Sequence, residues 1–192
     1  MAGLLGLDAD AFIGAIRAGL PASHTYDLCG TVRELARRAG GSPTEAEIAA
    51  AAALRKRFTA AQLARVPRRT LVTLDRLRAR GHVLGLVSNC TVETPRLFRQ
   101  TAVASRLDTL VFSSELGVSK PDPTIYRAAC DAVGVTSEAV VYVGDGADEE
   151  LAGATAVGMQ AIRTTEFANN HPGWVGPSIS TIAQLIGHPC LR

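Results

Sequence analysis

The stretch VVYVGDGADEELAGA, Val140–Ala154, decides how the rest of this chain is read. Four apolar residues run to Gly144 and Asp145, glycines flank the aspartate, and Asp148, Glu149 and Glu150 follow. A short run that is apolar on both faces reads as a strand covered on both sides, as in parallel sheets. In such sheets ligands bind in the crevice at the carboxyl ends of the strands, which places Asp145 at a candidate site. Carboxylates gathered at a strand end without basic neighbours in sequence suit a hard, oxygen-liganded cation such as Mg²⁺. They also suit the acidic start of a helix, favoured there by the helix dipole. For Glu149 and Glu150 both readings stay open.

Two more strand ends lie upstream. In LGLVSNC, Ser88 and Asn89 follow an apolar run and could donate hydrogen bonds to an anion, together with the backbone N–H groups of the next helix start. In GVSKPDPTIY, Lys120 sits beyond the run TLVF in a loop stiffened by two prolines, where a lysine can act as a fixed positive charge for a phosphoryl or carboxylate group. Taken singly, each has a plain alternative: a turn residue, or a solvated lysine. Around them helix and strand alternate. A helix near 70–80 ends at Gly81, HVLGLVSNC reads as a buried strand, and a helix starts at about Thr94. The strand TLVF, a helix over Pro123–Val133, the strand ending at Asp145 and the strand MQAIRTT complete an α/β pattern over residues 67–192. The tail from Asn169 reads as loop plus one short helix.

Residues 1–66 have a different texture. Apolar residues fall at helical spacing from Ala9 to Leu20, with Pro21 as the stop, and again at Val32, Leu35, Ala36 and Ala39, with Gly40 and Gly41 closing the turn. Ser42, Pro43 and Glu45 form an N-cap arrangement ahead of an alanine-rich helix. With 47% hydrophobic and 20% charged residues in 192, the chain is long enough for one sizeable core with a helical appendage, and it is not disordered over most of its length. Twenty basic and 18 acidic residues are too balanced for a nucleic-acid surface, so the arginine groups around Arg65–Arg69 and Arg76–Arg80 read as solvated helix faces. Four dispersed cysteines with no CxxC spacing read as reduced, partly buried thiols. MAGLLGLDADAF has no basic leader and its apolar run is broken by Asp8 and Asp10, which points to a cytoplasmic protein without a membrane span.

In order, LVSNC, SKPDPTIY and VYVGDGADEELAGA resemble the second, third and fourth motifs of the haloacid dehalogenase-like hydrolases. The resemblance covers roughly Val66 to Glu166, and residues 1–66 resemble part of that family's inserted helical cap. It implies a Rossmannoid parallel sheet flanked by helices. It also implies that Ser88 and Asn89 orient a phosphoryl group, that Lys120 steadies its charge, and that Asp145 and Glu150 bind Mg²⁺.

The family's chemistry starts from an aspartate in an Asp-x-Asp loop at the end of its first strand, which attacks phosphorus while the second aspartate moves the proton. In TYDLCGTV, Thr25–Val32, Asp27 is followed by Gly30 and Thr31, but Cys29 stands in place of the second aspartate and no apolar strand precedes it. Asp27 is therefore a weak nucleophile candidate and reads better as part of a helix start. At LGLDADAF, Asp8 and Asp10 have the right spacing but open a helix, so one of them reads as its cap. The simplest account is that the chain begins after the family's first strand. That strand is central in the family's sheet, between the strands bearing the second and fourth motifs. Either these neighbours close up, another segment takes the place, or a second chain, as in a homodimer, completes the core. Two functions follow: a Mg²⁺-dependent phosphatase acting on a small phosphorylated metabolite, or a degenerate member that keeps the fold and an anion site for binding, assembly or repurposed catalysis. A dehalogenase is a third reading, weakened by the acidic cluster.

Overall fold

The computed structural model describes residues 1–17 and 27–191. In chain order the helices and strands begin with α1 (Ala9–Arg17), α2 (Leu28–Arg38), α3 (Glu45–Leu63), α4 (Arg68–Ala79), β1 (Gly85–Ser88) and α5 (Thr94–Phe98). They continue with β2 (Thr109–Phe112), the single turn α6 (Ser113–Leu116), α7 (Pro123–Val133), β3 (Val141–Gly144), α8 (Glu150–Ala156), β4 (Gln160–Thr164) and β5 (Ser178–Ile179). The chain divides into two compact units, Met1–Arg65 with Cys90–Thr101, and Val66–Asn89 with Ala102–Arg192. The alternation of elements does not disclose that Cys90–Thr101 packs with the N-terminal helices.

In the first unit the expected helix over Ala9–Leu20 is present from Ala9 to Arg17; Leu20 and Pro21 lie outside the described residues. Asp8 caps it, its carboxylate accepting from the Ala11 N–H at 2.9 Å. Asp27 caps α2 in the same way, accepting from the Gly30 N–H at 2.6 Å. The predicted apolar row of α2 faces inward: Val32 and Ala36 are buried with Leu5, Phe12, Ile48, Ala51 and Ala52, while Leu35 and Ala39 pack at the edge of that cluster. Ala51 and Ala52 of α3 share this cluster with Val32 and Ala36 of α2. Its cap differs from the expected Ser42–Glu45 arrangement. Thr44 takes the position, with its hydroxyl accepting from the Glu47 N–H and the Glu47 carboxylate accepting from the Thr44 N–H at 2.7 Å. Threonine followed three residues later by glutamate satisfies two orphan N–H groups at once.

The second unit is α/β with only parallel strand pairs. β1 pairs with β2 (Val87 opposite Val111), β3 with β4 (Val143 opposite Ile162), and β4 with β5 (Thr164 opposite Ile179). Both sheets rest on one core, in which Val111, Ile125, Tyr126, Cys130, Leu151 and Ala154 are buried and Val87 and Tyr142 pack at its margin. The opposite face is covered by Leu77 of α4 and Leu185 of the 3-10 turn Ile182–Gly187, against Ile162 and Ile179. Successive residues of β4, Ala161 and Ile162, go to opposite layers, as the two-residue strand period requires. α7 runs over the expected residues because its ends are specified locally: Asp122 accepts from the Thr124 N–H at 2.8 Å, Pro123 takes the first helical position, and Gly134 closes the helix at φ 69°.

The layer has a break. Among the described residues no ladder joins β1 to β3, so there are two sheets, β1–β2 and β3–β4–β5. The strands that would neighbour a central one have not closed up. β1, expected as a buried strand, has Gly85 exposed and Leu86, Val87 and Ser88 half-buried, because only one of its edges is paired. The tail adds a short strand, β5, to the expected loop and helical turn. None of the four cysteines forms a disulfide; Cys130 is buried and the others are half-buried. Among the described residues no helix is long and apolar enough to cross a membrane.

Candidate active site

The carboxyl ends of β1 and β3 open into a cavity of about 370 Å³ that Ser88, Asn89, Lys120 and Asp145 all line, so the residues of the three sequence motifs meet in one place. Lys120 is its central charge. Its ammonium donates to Glu150 Oε2 at 2.5 Å and to the Tyr142 hydroxyl at 3.1 Å, and only 10% of the side chain is exposed. Asn89 fixes the lysine's backbone from both sides, accepting from the Lys120 N–H at 2.8 Å and donating to the Lys120 carbonyl at 3.0 Å. The Asn89 amide also donates to Asp148 Oδ2 at 3.0 Å, which ties the end of β1 to the loop after β3. Asp145 accepts from the Ala147 N–H at 3.0 Å and from the Asn170 side chain at 2.9 Å. The Ser88 hydroxyl lies 3.5 Å from the Asn89 carbonyl, too long to engage it strongly, and remains available to an incoming acceptor.

Glu150, a metal ligand by the resemblance, lines the same cavity and is paired with Lys120. Its Oε2 receives Lys120 and the Tyr142 hydroxyl at 2.7 Å, its Oε1 receives the Gly146 N–H at 3.1 Å, and its side chain is 6% exposed. Burial opposes its charge. The hydrogen bond and charge of Lys120, with Tyr142 and the Gly146 N–H, outweigh burial and hold the carboxyl below its usual range. Glu150 is therefore the counter-ion of Lys120. Burial, then the nearby Glu150 charge, pushes the Tyr142 phenol far up, so it stays protonated and can donate. The Tyr126 phenol is pushed up to about 12 by the same two causes, and its hydroxyl donates to the Glu150 carbonyl at 2.9 Å.

The loop that carries the acids is unusual. Gly146, Asp148 and Glu149 all have positive φ (89°, 52° and 54°), a region that costs non-glycine residues energy and is held only where surrounding contacts over-determine it. A side chain at Gly146 would also meet His171. The contacts that hold the loop are those of Asn89, Asn170 and the Gly146 N–H to Glu150. Asp145, Asp148 and Glu150 all line the cavity, and of the three Glu150 is the one paired with Lys120. Sequence reasoning passed over Tyr142 and Asn170, and named Asp148 only as one of the acids after Asp145. Tyr142 had a signal, since a tyrosine within an apolar strand needs a partner for its hydroxyl. Asn170 lies in the irregular tail and had none.

The fold is a parallel α/β layer, and the residues of the three motifs meet at its strand ends. The family model for haloacid dehalogenase-like hydrolases matches residues 10–158, and the chain belongs to that family. It is 35% identical over 130 residues to a glyceraldehyde 3-phosphate phosphatase from Methanopyrus kandleri, covering 67% of this chain and 55% of that protein. It is 33% identical over 136 residues to a phosphoserine phosphatase from Thermus thermophilus, covering 68% and 51%. The matched regions thus span about half the length of these relatives. A solved 2-haloacid dehalogenase from Pseudomonas syringae superposes with a TM-score of 0.67 at 21% identity, over 96% of this chain and 82% of that one, which is a likeness of fold.

Proposed function

We propose that the chain is a phosphatase acting on a small phosphorylated metabolite, with the phosphoryl group bound in the cavity at the ends of β1 and β3. The observation that carries this reading is the clamped Lys120, a nearly buried cation fixed by Asn89, Glu150 and Tyr142 at a strand-end crevice. Ser88 and Asn89 offer a hydroxyl and an amide beside it. With Glu150 neutralising Lys120, Asp145 and Asp148 leave the cavity net negative, so a phosphate dianion would be repelled there unless a cation offsets the two carboxylates. Their oxygen-only chemistry fits Mg²⁺, which is held by one or two carboxylates with water and substrate phosphate oxygens. Asp145 and Asp148 are the described carboxylates that would hold it, beside Glu150, which is paired with Lys120. When bound, the ion supplies charge neutralisation at the phosphoryl oxygens.

What the described cavity lacks is an attacking carboxylate. Glu150 is spent on Lys120, and Asp27 is used as the cap of α2. That observation favours a second reading, an anion-binding member of the family without turnover. The dehalogenase reading stays third, because a halogenated acid gives the Asp145–Asp148 pair no work to do.

An assay against a panel of phosphate monoesters with Mg²⁺, led by glyceraldehyde 3-phosphate and phosphoserine, separates these readings. Turnover that falls at least ~100-fold in both Lys120→Ala and Asp145→Asn supports the phosphatase. Saturable binding of inorganic phosphate without turnover, lost in Lys120→Ala, supports the second reading. Neither turnover nor phosphate binding overturns both.

A further inference from the structure

We infer that Phe167 sets the class of molecule this cavity takes: a phosphate monoester whose organic group carries a planar apolar ring, packed against the exposed ring of Phe167. The inference rests on the reading of the cavity as a phosphoryl site. Phe167 lines the cavity together with Lys120 and Asp145, yet it is 67% exposed. The loop that carries it is pinned on both sides. Before it, the Glu166 side chain is 3% exposed, and its carboxylate accepts from Arg69 at 2.8 Å and from the Ile182 N–H at 2.7 Å. After it, Arg163 donates to the Asn169 side chain at 3.2 Å and to the His171 carbonyl at 2.7 Å. Asn170 donates twice to Asp145, from its N–H to the carbonyl at 3.2 Å and from its amide to the carboxylate at 2.9 Å. These bonds hold an aromatic side chain at the cavity and in water, although burying it elsewhere would be favourable.

The other groups of the cavity leave this role to Phe167. Tyr142 is the second aromatic residue that lines it, but its hydroxyl is engaged by Lys120 and Glu150 and its ring meets Tyr126 edge-on at 5.5 Å. Ser88, Asn89 and Lys120 present a hydroxyl, an amide and an ammonium, which suit phosphoryl oxygens and have no use for an apolar group. Phe167 follows Thr164, the last residue of β4, by three positions, and both line the cavity, so its exposure puts the ring at the mouth. A ligand with its phosphoryl group at the strand ends carries its organic group out past that ring. A planar apolar group there gains offset or edge-to-face contact and takes the Phe167 face out of water. A short polar group leaves the same face wet. Phe167 offers neither charge nor hydrogen bond, so it selects by shape and apolarity alone.

The test reads binding, so it does not require turnover. Phenylphosphonate and methylphosphonate, which have no phosphorus–oxygen ester bond to break, are titrated calorimetrically into the full chain with Mg²⁺, at a pH where both are dianions. The expected result is that phenylphosphonate binds about tenfold more tightly, a preference that falls to within about twofold in Phe167→Ala and returns in Phe167→Tyr. Lys120→Ala should lose both ligands. Equal affinities in the natural chain, or a preference that persists in Phe167→Ala, overturn the role of Phe167 and leave the phosphoryl site standing if Lys120→Ala still abolishes binding. No binding of either phosphonate, or binding that survives Lys120→Ala, overturns the phosphoryl site and the role of Phe167 together.

Discussion

The β3 segment VYVG is more apolar than the β4 segment QAIRT, yet β4 buries Ala161 and Ile162 while every residue of β3 stays half-buried. Both strands are parallel, adjacent and backed by the same helices, so composition does not separate them. Neighbours do. β4 is paired on both edges, and β3 on one. Burial in a sheet is a property of position in the layer, and the apolar character of β3 and β1 belongs to strands that a further neighbour would enclose.

The strongest test of this comparison is truncation on each side. Ile162→Ala should cost about 4 kcal/mol in urea unfolding, because a fully buried isoleucine leaves a cavity that the surrounding helices cannot collapse. Val143→Ala, its partner across the ladder, should cost about 1 kcal/mol, since two methyl groups at partial burial lose little contact with the interior. Equal costs would show that β3 is enclosed in solution and would break the contrast.

The next effect is electrostatic. Glu150→Gln removes the counter-ion of a nearly buried lysine, and should cost about 3 kcal/mol. Because the Glu150 carboxyl is held below its ordinary value of 4.5 in the folded state, its contribution is fully present above that value and is lost as pH falls through the folded one. The stability difference between the natural chain and Glu150→Gln should therefore shrink on acidification below about pH 4.5. A difference that is flat with pH would mean that Glu150 is not the partner of Lys120.

How much of this was legible beforehand depended on whether the signal was local. The ends of α7 were readable because Asp122, Pro123 and Gly134 act within a turn of where they stand. Ser88, Lys120 and Asp145 were readable because each ends an apolar run, and strand ends of a parallel sheet converge. The pairing of Glu150 with Lys120 was not legible, because the two stand 30 residues apart and meet only through the fold. The same holds for Asn170 on Asp145, and for Cys90–Thr101, whose packing with the N-terminal helices leaves no mark in its own sequence. The cap of α3 lies two residues beyond the expected one although its signal is local, because Ser42–Glu45 and Thr44–Glu47 both have capping-box spacing and only the second pair forms.

The smallest effect concerns Asp27, which lies in the unit whose helix ends are satisfied from within rather than in the unit whose sheet is open. As the cap of α2 it accepts from the Gly30 N–H, so Asp27→Ala should cost about 1 kcal/mol while Asp27→Asn, whose amide oxygen can accept the same bond, should cost only a few tenths. A nucleophile responds in the opposite manner. An amide cannot attack phosphorus, so Asp27→Asn would abolish turnover at unchanged stability. Measuring unfolding and turnover on the same two variants therefore separates a residue that closes a helix from one that begins the chemistry. A stable but inactive Asn variant would return the attacking carboxylate to the helical unit.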